Sequence, residues 1–218
     1  LVATLGLVAL PTAANAAPDL IAVPGKTVVI GDRHGALTLG LATLGATAIR
    51  TQQDPLLGER ALAQNADRLG FSGRYRAHEL NAELLSGARL VLLQLPRGLD
   101  ALDEIATAIA RWAAPDVRVF AGGRVKHMTR TMNDVLARSF DDVSAGLGWR
   151  KSRVLTASSP RSVAAGESGA LTPRWGGDAA LDLRLAAFGA TFGGPVLDHG
   201  SRVLLDPLVT EPPAATQR

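Results

Sequence analysis

Val117 to Ser159 reads VRVFAGGRVKHMTRTMNDVLARSFDDVSAGLGWRKSRVLTASS, and the order of elements in it decides the fold. Val117–Ala121 is an apolar, β-prone run closed by Gly122-Gly123, and a basic segment follows. Met128–Phe140 has apolar residues at helical spacing. Two consecutive strands, about 142–148 and 151–157, then follow with only Trp149-Arg150 between them. Such a pair is a hairpin, so the last strand is expected to run antiparallel to its neighbour.

Upstream of this stretch, strands alternate with helices. Thr27–Ile30 reads as a buried strand ended by Gly31, and Ala36–Leu44 as an apolar helix. Ala46–Thr51 is a second strand, and Pro55–Leu69 a helix with Pro55 in its first turn and Asp54 as a candidate N-cap. Tyr75–Ala77 is a short third strand. Arg89–Leu95 is an almost purely apolar strand of the kind covered on both faces, and Leu99–Ala113 is the next helix. The alternation predicts an α/β protein with a doubly wound, mostly parallel sheet and helices on both faces. Closure by an antiparallel hairpin strand at the edge is the architecture of class I methyltransferases.

Composition sets outer limits. The 218 residues are 47% apolar and 20% charged, enough for a full core, and with 4% aromatics that core must be built from Leu, Val, Ile and Ala. There are no cysteines, which excludes disulfides and thiolate metal sites. Residues 160–180 are rich in Ser, Pro, Gly and Ala and read as a linker between a domain at 1–159 and a further segment at 181–218. The first residues, LVATLGLVALPTAANAAPD, imitate a secretory signal without its charged start, and an opening on Leu1 is expected to mark a fragment. No apolar run is long enough to span a bilayer, and the tail EPPAATQR is not expected to be ordered by itself.

Charge is informative by position. The formal net charge is only +3, yet Arg124 to Arg153 holds seven Lys/Arg (124, 126, 130, 138, 150, 151 and 153) against Asp134, Asp141 and Asp142. The cations stand at the joins between elements, where a polyanion can dock. Arg124, Lys126, His127, Arg130, Arg150, Lys151 and Arg153 are therefore the candidate RNA-binding residues; the competing reading is a solvated face. Trp149 reads either as a stacking residue or, preferably, as a tryptophan packed against the sheet. His34, His78, His127 and His199 are scattered, without companions at metal-ligand spacing.

The segment Gly122-Gly123-Arg124-Val125-Lys126-His127, followed by a helix, a strand and Trp149-Arg150-Lys151-Ser152-Arg153, resembles the amino-terminal domain of bacterial ribosomal-RNA guanine-N2 methyltransferases. These are two-domain enzymes of the "methyltransferase small" family, and the likeness covers roughly Thr27 to Leu208. It implies S-adenosylmethionine as cofactor, ribosomal RNA as partner and a cytoplasmic, monomeric protein. In that family a degenerate amino-terminal domain precedes a catalytic one. Phe192–Leu205 resembles the entry to the second domain, and the sequence stops before that domain's cofactor motif.

The residues at the family's functional positions agree with a degenerate copy. Gly31 and Gly35 match the outer glycines of its Asp-Leu-Gly-x-Gly-x-Gly turn, while Arg33 takes the middle glycine's place and Val29 the acid's. Asp54 is open to two readings, an N-cap or the family's ribose-binding acid, with Asn65 eleven residues on; the N-cap is preferred. The (Asn/Asp)-Pro-Pro-(Tyr/Phe) motif that holds a target amine is here Gln94-Leu95-Pro96-Arg97, without the aromatic. The expectation is a non-catalytic RNA-positioning domain with no cofactor of its own. The alternative is a stand-alone RNA-binding or chaperone-like module. A nicotinamide oxidoreductase would need Gly-x-Gly-x-x-Gly after Ile30, which Gly31-Asp32-Arg33-His34-Gly35-Ala36 does not supply.

Overall fold

The computed structural model describes Thr12, residues 18–161 and residues 171–210. Most of the signal-like stretch, residues 162–170 of the linker and the terminal EPPAATQR lie outside the described residues. The chain divides into two compact units, Leu1–Leu171 and Thr172–Arg218.

The first unit is built on a seven-stranded sheet. Its strands are β1 (Thr27–Ile30), β2 (Ile49–Gln52), β3 (Tyr75–Ala77), β4 (Leu90–Gln94), β5 (Arg118–Arg124), β6 (Phe140–Ala145) and β7 (Ser152–Pro160). They lie in the order β3-β2-β1-β4-β5-β7-β6. β1 to β5 run parallel to one another, and β7 enters antiparallel between β5 and β6. The expected doubly wound sheet with a closing hairpin is present. Among the described residues the strands are accompanied by α1 (Pro18–Ala22), α2 (Ala36–Thr43), α3 (Leu56–Arg68), α4 (Ala82–Leu85), α5 (Leu99–Trp112) and α6 (Thr131–Ser139).

Sequence periodicity explains how the layers stack. Along the central strands alternate residues enter opposite faces, as a period of two requires. Val28, Ile30, Val91, Leu93, Val119 and Ala121 pack with α5 and α6 through Leu102, Ile109, Val135 and Leu136. Val29, Leu90, Leu92 and Phe120 pack on the other face with Leu37 and Leu41 of α2. Both faces are covered, which is why β4 is apolar at every position from Leu90 to Leu93. In α6 the buried set Met132, Val135, Leu136 and Ser139 has the spacing of one helical stripe.

The amino end of the sheet is tied by one side chain. Arg50 of β2 donates to the carbonyls of Glu83 and Ser86 around α4, at 2.9 and 3.0 Å, and to Gly25 before β1 at 2.9 Å. A guanidinium has enough fixed donors to hold three main-chain segments together.

Two local expectations are corrected. Asp54 is not the cap of α3: Pro55 occupies that position in extended conformation, and no side chain caps the helix. The Asp54 carboxylate instead accepts from Gln52 Nε2 at 2.9 Å. The hairpin connection is also longer than two residues. β6 starts at buried Phe140 and ends at Ala145, so 146–151 form the connection, with the tight turn centred on Arg150-Lys151.

The second unit contains β8 (Arg174–Asp178), which begins within the stretch that reads as linker, paired antiparallel with β9 (Leu183–Ala187). Its helix α7 (His199–Thr210) is capped by Asp198, whose carboxylate accepts from the Gly200 and Ser201 amides at 2.9 and 3.2 Å. Arg202 on α7 pairs with Asp178 at the end of β8.

Candidate nucleic-acid interface

In an open α/β sheet, ligands bind at the carboxyl ends of the parallel strands, near the point where strand order reverses. Here that point lies between β1 and β4. The segments that arrive at this edge are the turn after β1, the loop after β4, the 3₁₀ turn Val125–His127 after β5, and the β6–β7 connection. The last reaches the same edge because β7 is antiparallel, so its first residues lie beside the last residues of β5.

The turn after β1 keeps its glycines for reasons of backbone and space. Gly31 has φ +77°, and a Cβ there would stand 3.3 Å from the Gln94 carbonyl oxygen. Gly35 has φ +91°, and a Cβ would come within 2.6 Å of Leu62 Cδ1. Between them, buried Asp32 accepts from the amides of Leu37 and Thr38 at 3.1 and 2.7 Å. Burial pushes the Asp32 carboxyl up from its ordinary value, and those amide donors pull the other way. The amino end of α2, where an anionic ligand could accept from free amides, is thus served by the chain's own carboxylate. Arg33 is exposed, Val29 is wholly buried, and Asn65 Nδ2 donates to the His34 carbonyl at 2.9 Å, fastening the turn to α3.

The two halves of the predicted basic cluster meet. Gly123 faces Arg153 and Arg124 faces Ser152 in the β5–β7 register, and the Val125 amide donates to the Lys151 carbonyl at 2.9 Å. Arg124, Lys126, His127, Lys151 and Arg153 therefore share one rim, and Arg150 stands beside Lys151 on the turn. Arg130 lies at the start of α6, three residues beyond His127, and among the described residues no hydrogen bond or ion pair ties it to the others.

Sequence reasoning missed two members of this edge. Desolvation, and then the charges of Lys126, Arg97 and Arg124, lower the His127 imidazole below its ordinary 6.5, which places Arg97 in the same positive field. In sequence Arg97 figures only in the altered Gln94-Leu95-Pro96-Arg97 motif; the parallel order of β4 and β5, which brings their following loops to one edge, is the available signal. Asp32 bonds five and six residues ahead, beyond the usual N-cap spacing, so no capping pattern announced it.

The rim's cations have no carboxylate partners among the described residues, unlike several arginines elsewhere in the unit. Elsewhere Arg89 pairs with Asp116, Arg138 with Asp103 and Arg161 with Asp141. Among the described residues, no ion pair involves Arg97, Arg124, Lys126, Arg130, Arg150, Lys151 or Arg153. No group of three or more His, Cys, Asp or Glu side chains converges among the described residues.

The model of the RLMG N-terminal domain matches residues 12–161. The chain belongs to the RLMG N-terminal domain family. Among relatives, a ribosomal RNA large subunit methyltransferase G of Pseudomonas syringae pv. syringae is 34% identical over 138 residues, which are 63% of this chain and 36% of that protein. The enzyme of the same name from Shewanella loihica is 28% identical over 191 residues, covering 84% of this chain and 45% of that protein. The chain thus spans less than half the length of these relatives. Among solved structures, the 16S rRNA N2 G1207 methyltransferase of T. thermophilus, in complex with AdoMet and guanosine, superposes with TM-score 0.62 at 16% identity, covering 88% of this chain and 51% of that one. A putative S-adenosylmethionine-dependent methyltransferase of Methanococcus maripaludis gives TM-score 0.57 at 13% identity over 74% of this chain and 89% of its own. The RLMG N-terminal domain is therefore a class I methyltransferase fold. Its carboxyl edge carries an unmatched cationic rim.

Proposed function

We propose that this chain is part of an S-adenosylmethionine-dependent ribosomal RNA methyltransferase that acts on a guanine N2 amine. Its RLMG N-terminal domain positions RNA and does no chemistry. The observation that carries this reading is the rim: Arg97, Arg124, Lys126, Arg150, Lys151 and Arg153 gather, without carboxylate partners among the described residues, at the edge where folds of this kind bind ligands, while Arg89, Arg138 and Arg161 are paired in place. Unmatched cations are self-repelling, and a phosphate backbone supplies the opposite charge together with counterion release.

The residues present do not fit the cofactor. Arg33 stands where a glycine would let the molecule approach, Val29 offers no acid, and Asp32 already uses the Leu37 and Thr38 amides. Gln94-Leu95-Pro96-Arg97 brings no aromatic to cover a base, and Arg97 adds its charge to the positive field at His127 instead. The names of the relatives support ribosomal RNA as the partner, with catalysis assigned to the domain that the likeness places after this one.

The test uses the full-length methyltransferase. Arg124→Ala with Lys126→Ala is expected to raise the Michaelis constant for RNA, leave that for the cofactor unchanged and lower turnover at saturating RNA only modestly, because phosphate grip is uniform binding. Loss of turnover with normal RNA binding would place this domain in the catalytic machinery and overturn the reading.

A further inference from the structure

We propose that the tip of the β6–β7 hairpin is a stacking element, on which Trp149 takes an unpaired nucleobase of RNA while Arg150 and Lys151 hold the flanking phosphates. The proposal rests on the RNA-facing reading of the rim and adds to it a site for bases.

The first observation is backbone strain at an exposed turn. Arg150 and Lys151 have φ +46° and +64°, and Trp149 and Ser152 exchange both main-chain hydrogen bonds across them, at 2.8 and 2.9 Å. That is a two-residue hairpin turn with left-handed backbone at both central positions, a geometry that favours Asn-Gly because other side chains crowd the neighbouring carbonyl. Both side chains are exposed, so burial in the core does not compensate the strain. Strain held outside the core points to a use of the side chains themselves.

The second observation is what the turn presents. Leu147 is 95% exposed and Trp149 45% exposed, at a tip that buries neither. The preferred sequence reading, a tryptophan packed against the sheet, is corrected here. The Arg150 guanidinium lies over the Trp149 ring, 4.7 Å from its centroid, a cation–π arrangement that sets a positive charge against one face of the ring. An aromatic surface flanked by cations is the standard composition of single-strand nucleic-acid sites, where any base can stack and the backbone tracks the charge.

The third observation is location. The Val125–Lys151 bond fixes the tip to the 3₁₀ turn carrying Lys126 and His127, so a strand with a base on Trp149 runs its phosphates over the rim. Bases inside a duplex are already stacked and paired, and so cannot take this position.

The experiment measures binding of the chain to an oligoadenylate of about 12 nucleotides and to a duplex RNA of the same length. Trp149→Ala is expected to weaken single-strand binding about tenfold, with duplex affinity and salt slope unchanged, and Trp149→Phe to retain most of the affinity. Arg150→Asn with Lys151→Gly, which suits the turn, is expected to raise thermal stability and yet lower the magnitude of the salt slope by about one to two units. Wild-type affinity in Trp149→Ala, or an equal loss for single strand and duplex, would overturn stacking. If Arg124→Ala with Lys126→Ala still weakened binding in that case, the rim reading would stand. An unchanged salt slope in Arg150→Asn with Lys151→Gly would remove the turn cations from the site. Failure of the unaltered chain to bind either RNA at low salt would sink the rim reading, and this proposal with it.

Discussion

The Val125 amide and the Lys151 carbonyl, 2.9 Å apart, form the seam between the two halves of the cationic rim. Residues 26 positions apart in sequence thereby present their charges to one ligand. Six phosphate contacts by Arg124, Lys126, Arg130, Arg150, Lys151 and Arg153 predict a slope of log affinity against log salt of about −4 for a single strand. Arg150→Ala with Lys151→Ala is expected to reduce that slope by about one unit or more, with little change in sequence preference. Filter binding over a salt series reads it, and a slope equal to that of the unaltered chain moves the binding face elsewhere.

Calorimetric titration of the chain with S-adenosylmethionine is expected to give no saturable heat in the micromolar range. The cause is local: Asp32 takes the amides at the start of α2 and Arg33 occupies the turn. A micromolar dissociation constant would restore the turn as a cofactor site.

His127 supplies a pH signature. Its folded value lies below 6.5, so any stability it contributes is present above that pH and fades as pH falls and protonation adds charge to a cationic rim. A docked phosphate reverses the local field and raises the imidazole's affinity for a proton. RNA affinity should therefore rise as pH drops from about 7.5 to about 5.5, and His127→Gln should flatten that rise. Equal pH profiles for the two proteins would remove His127 from the interface.

Arg50→Leu is expected to destabilise the chain by about 2–4 kcal/mol, since the carbonyls of Gly25, Glu83 and Ser86 lose a charged donor at once. Urea denaturation should show a lower midpoint with an unchanged slope. Arg50→Lys should recover only part of the loss, because an ammonium lacks the planar fork that reaches three acceptors. A midpoint within error of the unaltered chain would mean that other contacts hold these segments.

The sheet was legible because its signals are strong and local. Thr27–Ile30 appears at the expected residues, since an apolar run between turn residues admits few alternatives, and Tyr75–Ala77 also stands where expected. The hairpin tip was misplaced because its turn uses Arg150-Lys151 where composition gives no turn signal. The basic residues were legible as types, but their convergence depends on the β5–β7 register, a long-range property that no local pattern encodes. Arg97 illustrates the same gap. Its charge bears on His127, thirty residues away in sequence.

The position of β7 has a consequence for how the molecule is made. β7 is the last strand of the large sheet to leave the ribosome, yet its place is internal, between β5 and β6. Until Pro160 has emerged, a nascent chain holds Val119 to Gly123, every residue of which is buried in the finished molecule, as an open edge with unpaired backbone groups. Such an edge invites pairing with another chain. Truncations that stop short of Ser152 are thus expected to accumulate as aggregates, whereas those made just after Arg161 retain every strand of that sheet.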